Sequence, residues 1–289
     1  MKKKVKFSKR TTALIIAAVL LFAGGGVAGT RAALNIQSEY YRAHFYLNHL
    51  QVHLLENGED VCGEQNNLDG ASKVTGNLAT SLGYEGIDKP GAVEPGKVYE
   101  ERIAARNGNT IDEFVRLTIR KYWVQTEATK GKDGKTTYTI KKNEKGEPVK
   151  AENMDPSWIH LTYKGSEDGN TGAWTENPSE ATAESRTFYY NTDLDPNADS
   201  AELFDKIMID KEVAKLGKVD EKKEGNKTVY TYIYKYDGCA FFIEADVQAI
   251  QTHNATQAIK SQWGVSNVTA NYNDPAGNGN GSGSLKVGN

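Results

Sequence analysis

From residue 229 to residue 251 the chain places bulky or apolar side chains at every second position. Only an extended strand gathers such a period of two onto one face. Tyr230, Tyr232, Tyr234 and Tyr236 recur in the first stretch, and Ile243, Ala245, Val247 and Ala249 in the second, where Glu244, Asp246 and Gln248 take the opposite face. Asp237-Gly238 lies between the two stretches, so they are expected to pair as a hairpin. A strand with one apolar and one polar face belongs to an antiparallel sheet with one side against a core. The tyrosine row has three readings: core packing, a sugar-binding platform, or a contact with another molecule. Val229 and Ile233 on or beside the same strand favour the core.

The same alternation returns along the chain. Tyr99, Ile103 and Ala105 share a face after the type II turn at Pro95-Gly96. Asn107-Gly108-Asn109 then reverses the chain into Val115, Leu117 and Ile119, which reads as a half-buried hairpin. Ile159, Leu161 and Tyr163, residues 188–190, and Leu203, Ile207 and Ile209 supply further short strands. Residues 61–95 read as loop, because glycines and Pro-Gly pairs interrupt them. Residues 126–155 form a Lys-rich insert, expected to protrude as a hairpin. Residues 213–227 are charged and fit a turn or a short helix, residues 255–263 fit a short helix, and residues 267–289 are rich in Gly, Asn and Ser and are expected to be disordered. Many short strands without a β-α-β rhythm predict an all-β fold, an antiparallel β-sandwich of jelly-roll or immunoglobulin-like type with loop and hairpin insertions. The sandwich domain is expected over residues 33–266.

The N-terminus carries an export signal. Lys2, Lys3, Lys4, Lys6, Lys9 and Arg10 lead into the apolar residues 13–23. Thr30 and Ala32 then supply the small side chains that signal peptidase reads, placing the cut after residue 32 and the mature start at Ala33. The competing reading, a permanent anchor, needs about 20 apolar residues, which the segment reaches only if Gly24 to Gly26 and the residues up to Ala28 are counted. No second hydrophobic segment follows, so membrane contact is expected only during export.

The leader holds seven of the 35 basic residues and none of the 38 acidic ones, leaving 28 against 38, a net charge of −10. Such a surface repels phosphate backbones, and nucleic-acid binding is not expected. The two cysteines, Cys62 and Cys239, are a candidate disulfide in an oxidising compartment, the other reading being two thiols.

No reactive constellation emerges. Among His44, His49 and His53, the last pair has the helical spacing of a zinc peptidase motif, but Leu50 stands where the general-base Glu belongs. On a strand those two residues lie roughly 13 Å apart, too far to share an ion. Neither a Gly-x-Ser-x-Gly elbow nor a phosphate-binding GKS or GKT loop occurs. The notable carboxylate pairs are Asp193/Asp195 and Glu244/Asp246. On a strand the second pair would face one side and either hydrate the surface or bind Ca²⁺ weakly. No catalytic residue, metal ligand or cofactor is therefore assigned.

The order of several short segments resembles the TasA and camelysin family of exported Gram-positive proteins. They are Gly24-Gly25-Gly26, Ala32-Ala33-Leu34-Asn35, Leu50-Gln51-Val52-His53-Leu54, Glu94-Pro95-Gly96-Lys97, Asn107-Gly108-Asn109, Val115-Arg116-Leu117, Leu203-Phe204-Asp205-Lys206, residues 245–251 and Trp263-Gly264. The resemblance implies a jelly-roll sandwich, processing by a SipW-type signal peptidase, and secretion to the extracellular matrix or cell surface of a Gram-positive bacterium. It also implies self-assembly or co-assembly with related matrix proteins into biofilm fibres, through donation of the mature N-terminal strand. Here that strand would carry Ile36, Tyr40, Tyr41 and Phe45. Some members are classed as metallopeptidases, so a camelysin-like peptidase is the first alternative. A monomeric carbohydrate- or host-binding module using Trp158 or Trp174 is the second.

Overall fold

Backbone hydrogen bonding between alternating strands organises the described part of the chain. The computed structural model describes residues 50–61, 66–68, 71–77, 93–132, 136–164, 172–225, 227–236 and 238–288. In chain order the strands are β1 (Val52–Glu56), β2 (Glu59–Asp60), β3 (Asn66–Leu68), β4 (Ala71–Asn77), β5 (Val98–Asn107), β6 (Glu113–Lys130), β7 (Thr136–Ile140) and β8 (Ile159–Tyr163). They continue as β9 (Trp174–Glu176), β10 (Ser185–Tyr190), β11 (Phe204–Ile209), β12 (Leu216–Glu224), β13 (Lys227–Tyr234), β14 (Cys239–Gln251), β15 (Val268–Asn273) and β16 (Ser282–Val287). Among the described residues, helix is confined to single turns and to Ala255–Ala258, which runs into a π-helical turn ending at Gly264.

Two antiparallel sheets form the body. One has five strands in the order β2-β1-β5-β11-β8; the other has the order β3-β4-β14-β6-β10-β9, with β7 added on the far end of β6. Their inward side chains meet in one core: Val52, Leu54, Ile103, Ala105 and Ile207 from the first, and Val115, Leu117, Ile119, Phe188, Ile243 and Val247 from the second. The fold is therefore all-β and antiparallel, with two sheets sharing one core.

Faces were legible from the alternation, but neighbours were not. The expected hairpin across Asn107-Gly108-Asn109 does not form: β5 pairs with β1 and β11, and β6 with β14 and β10. The turn is an arch that carries the chain from one sheet to the other. Each strand keeps its apolar face, and the two faces meet across the core instead of lying side by side. The arch is tied by Asn107, whose amide donates to Ile111 O (2.8 Å) and Leu194 O (2.7 Å) and whose Oδ1 accepts from Asn109 N.

The expected β13–β14 hairpin is also replaced. β14 lies between β6 and β4, matched to β6 from Cys239 opposite Gln125 to Gln251 opposite Glu113. With both edges of β14 occupied, β13 pairs instead with β12, in the charged stretch expected to be turn or helix. Residues 61–95, expected as loop, contain β3 and β4. The Lys-rich insert does begin as a hairpin. At about 3.4 Å per residue the 18 residues of β6 span roughly 60 Å, so its last five residues, Thr126 to Lys130, run past β14 and pair with β7.

The tail expected to be disordered is a hairpin, β15 paired with β16. Its Val268 and Leu285 join Phe114, Tyr189, Ile250, Ile259 and Trp263 in a second, smaller core on the outer face of the larger sheet. That face, expected to be wet, is half covered by the hairpin and the helix before it. Composition misled because a few apolar residues, Val268 and Leu285 with Ala270, Tyr272 and Val287 packed beside them, suffice when a partner surface is already built.

Candidate functional site

Two features of the described residues go beyond what folding requires. The first is the hairpin β12–β13. Directly opposite residues on antiparallel strands share a face, so Tyr232 lies beside Val219 and Tyr230 beside Glu221, while Ile233 and Thr231 share the other face with Lys218 and Asp220. Val219 and Val229 are each 42% exposed, and Tyr230, Tyr232 and Tyr234 are 55%, 58% and 40% exposed. The core placement expected for the tyrosine row is thus overturned for three of the four. Only Tyr236 is half-buried against the main core, its ring stacked on Tyr234 at 5.8 Å.

A two-stranded ribbon is marginal in water by itself, and this one is held at its base. Lys235 N donates to Lys215 O at 3.4 Å, and the Lys235 ammonium sits 5.5 Å from the centre of the Trp158 ring. The ribbon therefore presents large apolar side chains on both faces. Exposed apolar patches of this kind mark interaction surfaces more often than isolated exposed residues do.

The second feature is acidic. One carboxylate oxygen each from Asp112, Asp193 and Asp195 lies within 4.8 Å of the other two. Asp112 comes from the β5–β6 arch, and the other two follow β10. Asp112 Oδ2 accepts from Tyr272 Oη (2.8 Å) and Gly281 N (2.6 Å), and Asp193 Oδ1 accepts from Gly283 N (2.8 Å). Burial pushes the Asp193 carboxyl up, with the Asp112 and Asp195 charges adding to it and the Gly283 N–H opposing. Beside the cluster, burial pushes Glu113 up to about 8 against the Asn109 amide, so it is a neutral acid at pH 7.

The residues singled out in the sequence distribute as follows. Thr30, Ala32, Ala33, Ile36, Tyr40, Tyr41, Phe45, His44, His49 and Cys62 lie outside the described residues, and with them the cleavage site, the donor strand and the candidate disulfide. Cys239 is half-buried at the start of β14, opposite Gln125. His53 stands on strand β1, where its Nδ1 lies 2.6 Å from Asp60 Oδ2. Trp174 is fully buried and donates to Ala201 O, which removes it as a sugar platform.

Glu244 and Asp246 do share a face, but neither simply hydrates the surface. Glu244 accepts from Tyr122 Oη at 2.8 Å, and the buried Asp246 pairs with Arg120. No helix of the described residues is long and apolar enough to cross a membrane. The acidic trio was half visible as Asp193/Asp195; Asp112 lies some 80 residues upstream, and only the arch brings it in. No protein-family model, curated protein or solved structure matches this chain.

Proposed function

We propose that this chain is an exported, non-catalytic structural protein, a jelly-roll sandwich whose mature form assembles with further copies of itself at the cell surface or in the extracellular matrix. The proposal keeps the TasA and camelysin resemblance and SipW-type processing as parts of the same reading. The observation that carries it is the ribbon β12–β13, with five large apolar side chains exposed at strand spacing on its two faces. Covering each is worth about 1–2 kcal/mol, since half of its surface is already removed from water. A second copy suits the ribbon because two acids are followed directly by two lysines in Asp220-Glu221-Lys222-Lys223, so an antiparallel partner of the same sequence can set Asp220 opposite Lys223 and Glu221 opposite Lys222.

Strand donation by residues 33–45 is the second joint of the proposal. It is supported by the edge strand β8, which among the described strands pairs only with β11. An open edge offers a row of backbone donors and acceptors to an incoming strand.

Electron microscopy of the mature chain, residues 33–289, tests the reading. Fibres or regular oligomers are expected, and deleting residues 33–45 should shorten or abolish them. Persistent single particles from the intact mature chain would overturn the assignment.

A further inference from the structure

The acidic trio leaves two oxygens unaccounted for. Asp112 is 1% exposed, and while its Oδ2 takes two donors, its Oδ1 is buried without any hydrogen-bond partner. Asp193 repeats the pattern, with Oδ1 bound by Gly283 N and Oδ2 buried and unpartnered. Buried carboxylate oxygens cost several kcal/mol unless something positive or a donor meets them. Among the described residues no lysine or arginine forms an ion pair with Asp112, Asp193 or Asp195. Three acids thus converge, and two of them hold a buried oxygen without a hydrogen-bond partner, which a cation would satisfy.

The ligand chemistry selects the cation. All donors are carboxylate oxygens, with no imidazole in the trio, which suits a hard ion of flexible coordination and disfavours zinc. The run Asp193-Leu194-Asp195-Pro196-Asn197 places an acid or amide at every second residue, as the first half of a calcium loop does, with Ala198 where that loop carries its glycine. Asp195 is exposed, so the cluster opens to solvent, which can complete the shell with water. The same acids hold the C-terminal hairpin through Tyr272, Gly281 and Gly283.

We infer that Asp112, Asp193 and Asp195 bind a calcium-class divalent cation that fastens the β15–β16 hairpin to the sandwich. This is independent of assembly and is read on the monomer. Calorimetric titration of chelator-treated mature protein with CaCl₂ should give one site per chain. Calcium should raise the thermal midpoint and slow amide exchange in residues 268–287, with a weaker response to MgCl₂. Asp195→Asn should weaken calcium affinity about tenfold or more, while removing one of three mutually repelling charges and so leaving the calcium-free midpoint no lower than that of the wild type. Asp193→Asn should act in the same direction. Absence of saturable heat and of any midpoint shift in millimolar calcium would overturn the inference. So would binding that survives both substitutions, which would mark it as diffuse attraction to an acidic chain.

Discussion

Single side chains on the outer face of the larger sheet carry much of the fold's specificity. Arg116 donates to Gln248 Oε1 (2.7 Å), Glu180 Oε1 (3.2 Å), Tyr189 Oη (3.1 Å) and the Trp263 carbonyl (3.4 Å), and its guanidinium lies 5.1 Å from the Trp263 ring centre. Its side chain is largely buried, so Arg116→Ala would strand several acceptors at once. We expect a loss of about 2–4 kcal/mol in urea unfolding, and Arg116→Lys should recover little, because one ammonium cannot reach all four partners. Nothing in the alternation around residue 116 distinguishes this arginine from Arg120, since its partners come from β10, β14 and the helix turn.

Acid sensitivity is also set residue by residue. The backbone N–H of Ser157 holds the Asp155 carboxyl below the usual range, and the N–H of Glu212, followed by His160, does the same for Asp210. Lowered folded values mean that the stabilisation is present above the ordinary aspartate value and is lost as pH falls through the depressed one. Asp155→Asn with Asp210→Asn should therefore flatten the stability profile below about pH 4. Chemical unfolding followed across pH checks this; an unchanged acid slope would contradict it.

At the scale of elements, the arch and the C-terminal hairpin matter most. Gly108 donates to Gln51 O at 2.6 Å, and a Cβ there would press into the His53 ring. Gly108→Ala should cost about 1–3 kcal/mol by overpacking, read as a lower midpoint in thermal unfolding. Removing residues 265–289 would uncover Phe114, Ile250, Ile259 and Trp263. Such a chain should be cleaved faster in limited proteolysis and melt at lower temperature than the full one; equal resistance would show that the hairpin adds nothing.

These elements also mark where reading the sequence stops. The inward residues of β5, β6 and β14 were legible because burial on one face leaves a period of two. The pairing of strands was not, since an arch and a hairpin have the same turn residues and the same flanking alternation. The tyrosines of β13 show the limit from the other side: their spacing predicted a face correctly, but spacing does not say whether that face is inward.

At the scale of the whole molecule, the described residues bury a core shared by two sheets and a second core on the outer face of the larger one, while large side chains of the ribbon β12–β13 stay exposed. A chain that packs its tail hairpin into a second core and buries Trp174 completely nevertheless leaves three tyrosines and two valines of the ribbon in water. Under the proposed function, that contrast marks a surface to be covered by another copy. Sedimentation velocity of residues 33–289 over a range of concentrations, beside the triple variant Tyr230→Ser, Tyr232→Ser and Tyr234→Ser, puts the claim to its most direct test. The prediction is a boundary that moves faster with concentration for the wild type and sediments as monomer for the variant. Identical boundaries for the two proteins at every concentration would contradict it.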